Sequence, residues 1–316
     1  MTEKRIIAIA GATGAQGGSL ARAILADTTS DFAVRALTRD AGSDKAKELE
    51  ALGAEVVQAN LDDAESVKKA FAGAYGAFCV TFFWAHVSPD IEGAQARTMA
   101  EAAKGAGLRH VIWSTLEDTR HWIPLSDKRM PTLMEKYKVP HFDSKGQMDA
   151  VFDELGVPTT YLQASFYWEN FIHFGLGPKK SGDGALMLTL PIADKKMAGI
   201  AAEDIGKCAY GVFKLGVEVV GHRIGVAGAQ LTGEEMAAKM SRALGQQVVF
   251  NAVSPDAFRA FGFPGAEDLG NMFQFYAEFE EVVNASRNVE KSRTLNPELQ
   301  SFDQWLDSNA KSIPLE

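Results

Sequence analysis

Directly after a short apolar run at residues 5–10 the chain reads Gly11-Ala12-Thr13-Gly14-Ala15-Gln16-Gly17, and an amphipathic helical stretch at 16–26 follows without a break. Glycines at these points permit a tight turn, bring the backbone close to a pyrophosphate and let the helix pack on the strand. The helix start adds free N–H groups and the positive end of its dipole. A strand before such a loop and a helix after it is the context the loop needs. The chain therefore opens as the first βα unit of a dinucleotide-binding sheet.

The same grammar continues through the first half. Apolar runs at 33–38, 55–59, 76–80, 110–114 and 159–163 read as strands, and the stretches 44–52, 64–71, 90–106 and 146–155 between them read as helices. Such alternation builds a parallel sheet with helices on both faces, and ligands bind beyond the carboxyl ends of its strands where the strand order reverses. After residue 165 the alternation loosens, with Gly- and Pro-rich connections at 175–178, 182–184 and 262–265, while 203–215 and 234–244 read as helices. Met236, Met240 and Leu244 in the second of these fall at helical spacing and read as core packing. The expected fold class is α/β, a Rossmann-type doubly wound parallel sheet with a smaller C-terminal α+β lobe. Residues 1–165 form the dinucleotide-binding core, and 166–316 form a mixed lobe over the strand ends with some segments returning to the core.

Strand ends choose the cofactor. An NAD site places a carboxylate at the end of the second strand, whereas a 2′-phosphate needs a cation there. This strand ends Leu37-Thr38-Arg39-Asp40. Arg39 suits the adenine face and the phosphate, and Thr38 adds a hydroxyl, so NADP is favoured. Asp40 could instead be aimed at the ribose, and the alternative for Arg39 is a solvated surface arginine. The third strand ends Asn60-Leu61-Asp62-Asp63, where strand-end polar groups meet an adenine edge, while the two aspartates read as the cap and first-turn acid of the next helix. The fourth runs into Thr81-Phe82-Phe83-Trp84, aromatic rings that either wall a nicotinamide pocket or bury a lobe interface.

Composition removes other classes. The 32 basic and 41 acidic residues give a net charge of −9, and the longest basic runs are pairs such as Lys179–Lys180, so direct nucleic-acid binding and an anionic membrane surface are poor fits. Two cysteines, Cys79 and Cys208, exclude a thiolate zinc site and suit a reducing compartment. The six histidines show no His-x-x-x-His spacing and no Gly-x-Ser-x-Gly occurs, so no metal and no hydrolase elbow are expected. Neither a signal-peptide core nor a run of about 18 apolar residues is present, which reads as a cytoplasmic protein to which the nucleus is open.

With these residues in hand the chain resembles the NmrA-like family of atypical short-chain dehydrogenases, and within it the human redox-sensor type. The stretches GATGAQGG (11–18), GAEVVQ (53–58), HFDSKG (141–146), GVPTT (156–160), YWEN (167–170), GFPGAEDLGNMFQFY (262–276) and Phe302-Asp303-Gln304-Trp305 carry the likeness over nearly the whole length. The resemblance implies NADP contacts from Gly11 to Gly17, Arg39, Asn60, Leu61, Thr81 to Phe83, Lys145, and Tyr167, Trp168, Glu169 and Asn170. In the stretch 90–97, where family members carry a lysine near the cofactor, this chain has Ala94, with Arg97 the nearest cation.

Short-chain dehydrogenases normally use a Tyr-x-x-x-Lys pair, and here His141-Phe142-Asp143-Ser144-Lys145 keeps the lysine but replaces the tyrosine. Histidine can donate a proton near neutrality. The other reading is that Lys145 only binds ribose and His141 only walls the pocket. Ser114, at the end of the fifth strand, and Tyr167 are further proton-donor candidates, and His173, Trp84, Trp168, Phe273 and Tyr276 are candidate walls of an apolar pocket. Two functions follow. The first is a regulator that binds NADP(H) and passes cofactor abundance or redox state to a protein partner, motivated by an intact cofactor site without the catalytic tyrosine. The alternative is an NADPH-dependent reductase of a carbonyl, imine or enone. A homodimer is compatible with either.

Overall fold

The computed structural model describes residues 3–182 and 184–315. Strands of the first half are β1 (Arg5–Ile9), β2 (Phe32–Thr38), β3 (Glu55–Gln58), β4 (Gly76–Cys79), β5 (His110–Thr115) and β6 (Thr159–Gln163). Both faces of β4 and β5 are buried throughout, which is why neither strand shows the apolar–polar alternation of a half-buried one. Between the strands run α1 (Ala15–Ala26), α2 (Asp44–Ala51), α3 (Ala64–Phe71), α4 (Pro89–Gly105), α5 (Pro140–Gly146) and α6 (Asp149–Glu154). No helix among the described residues is long and apolar enough to cross a membrane.

The one departure in this half concerns the stretch expected to be a single helix at 146–155. The chain makes two helices, α5 and α6, and starts the first at Pro140, whose fixed φ suits a first helical position. The backbone of residues 117–118 crosses α5 at Gly146, where there is no room for a side chain. A Cβ at that point would lie 2.3 Å from the Asp118 nitrogen.

The second half adds β7 (Phe166–Tyr167), α7 (Asn170–His173), β8 (Lys179–Lys180), β9 (Leu186–Leu190), β10 (Met197–Ile200), α8 (Ala202–Leu215), β11 (Arg223–Gly225), β12 (Ala229–Leu231), α9 (Gly233–Leu244) and β13 (Val248–Ala252). It closes with α10 (Pro255–Arg259), α11 (Ala266–Glu278), α12 (Glu280–Ser286), α13 (Val289–Leu295) and α14 (Phe302–Asn309). Of the glycine-rich connection at 182–184, residue 183 lies outside the described residues.

The main sheet has seven strands in the order β11-β6-β5-β4-β1-β2-β3, paired in parallel throughout. This is a doubly wound Rossmann-type sheet. Its order reverses between β1 and β4, so the strand-end crevice lies where Gly11 and Thr81 leave the sheet. Two small sheets, β12-β10-β7 and β13-β9-β8, stand in the C-terminal half around an aromatic core that includes Trp168, Phe171, Phe273 and Trp305.

Two elements of that half return to the main sheet. Strand β11 pairs with β6 at the edge, and α8 lies directly on α1, the helix that follows the glycine loop. The approach is close because position 206 is glycine: a Cβ there would sit 2.4 Å from the Leu20 nitrogen and 2.5 Å from the Gln16 oxygen. The two halves are further tied by Arg287, fully buried, whose guanidinium forks onto Glu117 at 2.5 and 2.8 Å and whose Nε donates to the Ala164 oxygen at 3.0 Å. Substituting Gly206→Ala should therefore push α8 off α1 and cost about 1–3 kcal/mol, read as a lower midpoint in urea with an unchanged slope.

Candidate functional site

The glycine loop forms a cradle. Gly11 takes φ +61, and Gly14, exposed, precedes α1 with no side chain capping the helix. The Gly14 N–H turns inward to the Gly11 oxygen at 2.8 Å, leaving the first-turn amides of α1 facing the crevice. Gly17 admits the loop against the helix, since a Cβ would stand 2.5 Å from the Gly11 oxygen. Ala12 is buried, Thr13 half-buried and Ala15 exposed. Uncapped amides beside glycines that no side chain can replace fit a pyrophosphate.

Next along the crevice, Thr38 is buried and Arg39 exposed, with no ion pair for Arg39 among the described residues. Asp40 is drawn into a turn, its Oδ1 accepting from the Gly42 N–H at 2.9 Å, whereas the Arg39 guanidinium has no such contact among the described residues. Asn60 is exposed, with its Oδ1 accepting from the Asp62 N–H at 3.2 Å, and Leu61 is half-buried. The cap of α3 falls one residue later than expected, on Asp63, with Glu65 as the first-turn acid, and Asp62 instead accepts from Gln95 at 2.9 Å.

At the other end lies a cavity of about 150 Å³ lined by Gln16, Thr81, Phe82, Phe83, Trp84, Ser114, His141, Lys145, Tyr167, Asn170 and apolar side chains of α11. One turn of α5 supplies two of these groups, because His141 and Lys145 are four residues apart and share a helix face. The Lys145 ammonium donates to Thr81 O (3.1 Å) and Thr81 Oγ1 (2.6 Å) and pairs with Glu92 Oε1 at 2.9 Å. Glu92, fully buried on α4, also accepts from Thr81 Oγ1 at 2.7 Å and from the Ser144 hydroxyl. Burial raises the Glu92 pKa, but the Lys145 charge and the Ser144 and Thr81 hydroxyls outweigh it and hold the carboxyl below its ordinary range.

His141 packs at a tilt among aromatic rings, with centroids 5.0 Å from Trp84 and 6.0 Å from Phe83. Its Nδ1 lies 2.5 Å from Asp268 Oδ1, and its backbone N–H donates to Asp268 Oδ2 at 3.2 Å. A third group runs across the floor: the Ser114 hydroxyl donates to Gln16 Oε1 at 2.8 Å, and Gln16 Nε2 donates to the Tyr167 hydroxyl. Burial pushes the Tyr167 phenol up to about 12.

The structure thus brings His141, Lys145, Ser114, Tyr167, Thr81, Phe82, Phe83 and Asn170 to one cavity with Trp84 and Tyr276. It does not bring the rest. Trp168 is buried against Phe302 and Trp305 in the lobe core, and the Glu169 carboxylate accepts from the Ala202 N–H and Trp305 Nε1. His173 is exposed, and Phe273 is turned into the core against Phe166 and Phe258. Helical spacing explains the last: Leu269, Met272 and Tyr276 share the α11 face toward the cavity, and Phe273 falls off it. Sequence reasoning missed Glu92 and Asp268, both in the first turns of helices where acids usually complement the dipole at the surface. It also missed the Gln16 side chain, read only as part of the loop.

Comparison with known proteins agrees with this fold. The model of the NmrA-like family matches residues 3–306. An NmrA-like family domain-containing oxidoreductase, FrzB, of a Cladobotryum species is 30% identical over 295 residues, covering 85% of this chain and 83% of that protein. NmrA, a negative transcriptional regulator, solved in complex with NADP, superposes with a TM-score of 0.77 at 25% identity over 97% of this chain and 95% of NmrA. The triphenylmethane reductase of a Citrobacter species shares the fold, with a TM-score of 0.75 at 20% identity over 96% of this chain and 99% of that one.

Removing the Glu92 charge tests the buried pair. Glu92→Gln should cost on the order of 3 kcal/mol at neutral pH. Because the folded carboxyl is held below its ordinary value of 4.5, its contribution is present above that pH and is lost as the pH falls through the lower, folded value. Urea unfolding of both proteins from pH 7 downward should show the gap between them closing in acid.

Proposed function

Because the chain belongs to the NmrA-like family, we propose that it binds NADP(H) across the switch point of its sheet and reduces a carbonyl, imine or enone held in the aromatic cavity. In this reading the α1 amides take the pyrophosphate, and Arg39 with Thr38 takes the 2′-phosphate. Lys145 takes the nicotinamide ribose, exchanging its longest contact, the one to Thr81 O, for a ribose hydroxyl. When bound, NADPH supplies the hydride.

The observation that carries the reading is the pairing of His141 with Asp268 at the wall of the cavity that Lys145 also lines. A reductase that lacks the usual tyrosine needs another proton donor, and a carboxylate-held imidazole is suited to that task near neutrality. The two competing hydroxyls are less suited. Ser114 gives its hydrogen to Gln16, and the Tyr167 phenol is raised far above neutral pH. The cavity is otherwise lined largely by apolar and aromatic side chains, including Phe83, Trp84, Phe142 and Leu269, which favours a flat, uncharged substrate.

A second reading, a regulator that reports NADP(H) redox state to a protein partner, is favoured by the likeness to NmrA, whose name is that of a transcriptional regulator. It requires that NADPH and NADP⁺ differ in affinity for two states of the chain. Hydrogen exchange and solution scattering with each nucleotide should then give different profiles, and identical profiles remove it.

The reductase reading is tested by calorimetry with the four nicotinamide nucleotides followed by NADPH-consumption assays over quinones, aldehydes, imines and enones. Arg39→Ala should weaken NADPH at least tenfold and leave NADH unchanged, and Lys145→Ala should abolish consumption. Absence of turnover across the panel, or full turnover in Lys145→Ala, overturns the reading.

A further inference from the structure

We infer that Asp268 is a positioning residue for proton delivery: it fixes which nitrogen of His141 faces the substrate, so that the C-terminal lobe completes a site whose cofactor-facing half belongs to the sheet. The inference rests on the reductase reading and deepens it.

The geometry is two-pronged. Both carboxylate oxygens of Asp268 face donors of the same residue, Oδ1 the imidazole Nδ1 and Oδ2 the His141 backbone N–H. A carboxylate accepts at both oxygens, so Nδ1 carries a hydrogen whether the ring is neutral or charged. The proton that comes and goes is then on Nε2, which has no hydrogen-bond partner among the described residues and is not sealed from solvent as the Nε2 of His86 is. Asp268 itself is nearly buried and stands in the first turn of α11, next to the helix face that lines the cavity through Leu269, Met272 and Tyr276. An acid there could serve only the helix dipole, but that role needs neither oxygen on His141.

The hydride supplied by NADPH, which becomes NADP⁺, forms the new bond to the substrate carbon. The π pair of the C=X bond moves to X, the Nε2–H bond of the doubly protonated ring breaks and an X–H bond forms, leaving His141 neutral with its Nδ1 hydrogen still donated to Asp268. Solvent returns the proton to Nε2.

Asp268→Asn separates positioning from support. An amide of the same shape has one acceptor and one donor. The backbone N–H of His141 cannot change sign, so the amide oxygen turns to it and the NH₂ group faces Nδ1. The ring can adapt only by giving up the Nδ1 hydrogen and carrying it on Nε2. The experiment is a long-range ¹H–¹⁵N correlation spectrum of histidine-labelled protein with NADP⁺ bound, together with NADPH-dependent reduction of 9,10-phenanthrenequinone at pH 7. The expected result is a neutral His141 protonated at Nδ1 in the wild type and at Nε2 in Asp268→Asn. With this, kcat should fall on the order of 10²-fold at unchanged KM for NADPH, and Asp268→Glu should restore the Nδ1 form and part of kcat.

The same tautomer in wild type and Asp268→Asn, or an undiminished kcat, overturns the positioning role and leaves the reductase reading standing. Should Asp268→Asn fail to fold, the wild type decides alone, since a neutral His141 protonated at Nε2 overturns the inference. A wild type that reduces neither the quinone nor any other member of the panel overturns the reductase reading, and the inference with it.

Discussion

Helix α5 is only seven residues long, and the site depends on its being held from every side. His141 is tied to Asp268 in the lobe, Asp143 accepts from the Thr119, Lys138 and Val139 backbone N–H groups, Ser144 donates to Glu92, and Lys145 meets Thr81 and Glu92. A helix this short has almost no stability of its own in water. Its position is dictated by these polar contacts and by Phe142 packed among Phe275 and Tyr276. The two groups that it presents to the cavity, an imidazole and an ammonium, are each matched to a carboxylate from a different part of the fold.

This division gives the crevice two kinds of wall. Toward the sheet lie backbone amides, an arginine without an ion pair among the described residues and Lys145 with its Glu92 partner, features whose chemistry suits phosphate and ribose. Toward the lobe lie Trp84, Phe174, Leu269, Met272 and Tyr276, side chains contributed by connections and by α11. Members of one family can thus keep the first wall and vary the second. That is consistent with a family in which proteins named as oxidoreductases and a transcriptional regulator share one architecture.

Much of the first wall was legible in the sequence because its signals are local. Gly11, Gly14 and Gly17 stand where a turn, an uncapped helix start and a close crossing require them, and the strand boundaries agree within a residue or so because buried parallel strands are plain apolar runs. The two carboxylates that hold α5 were not legible. Glu92 and Asp268 follow helix starts, where acids are commonplace, and nothing nearby in the chain marks them as buried. Their partners are 53 and 127 residues away, as the Lys145 and His141 contacts show. The single helix expected at 146–155 failed for a similar reason: the chain folds α5 from Pro140 and lets residues 117–118 cross it at Gly146, a close approach invisible to periodicity.

The return of β11 to the sheet edge has a consequence for how the molecule is made. Strand β6 stays an open edge until residues 223–225 arrive, and α1 lacks its cover until α8 has been synthesised. A ribosome-bound chain that has just completed the sixth strand therefore displays unpaired backbone and an apolar helix face. More than fifty further residues must emerge before the first half can close, an interval in which that edge is open to pairing with another chain.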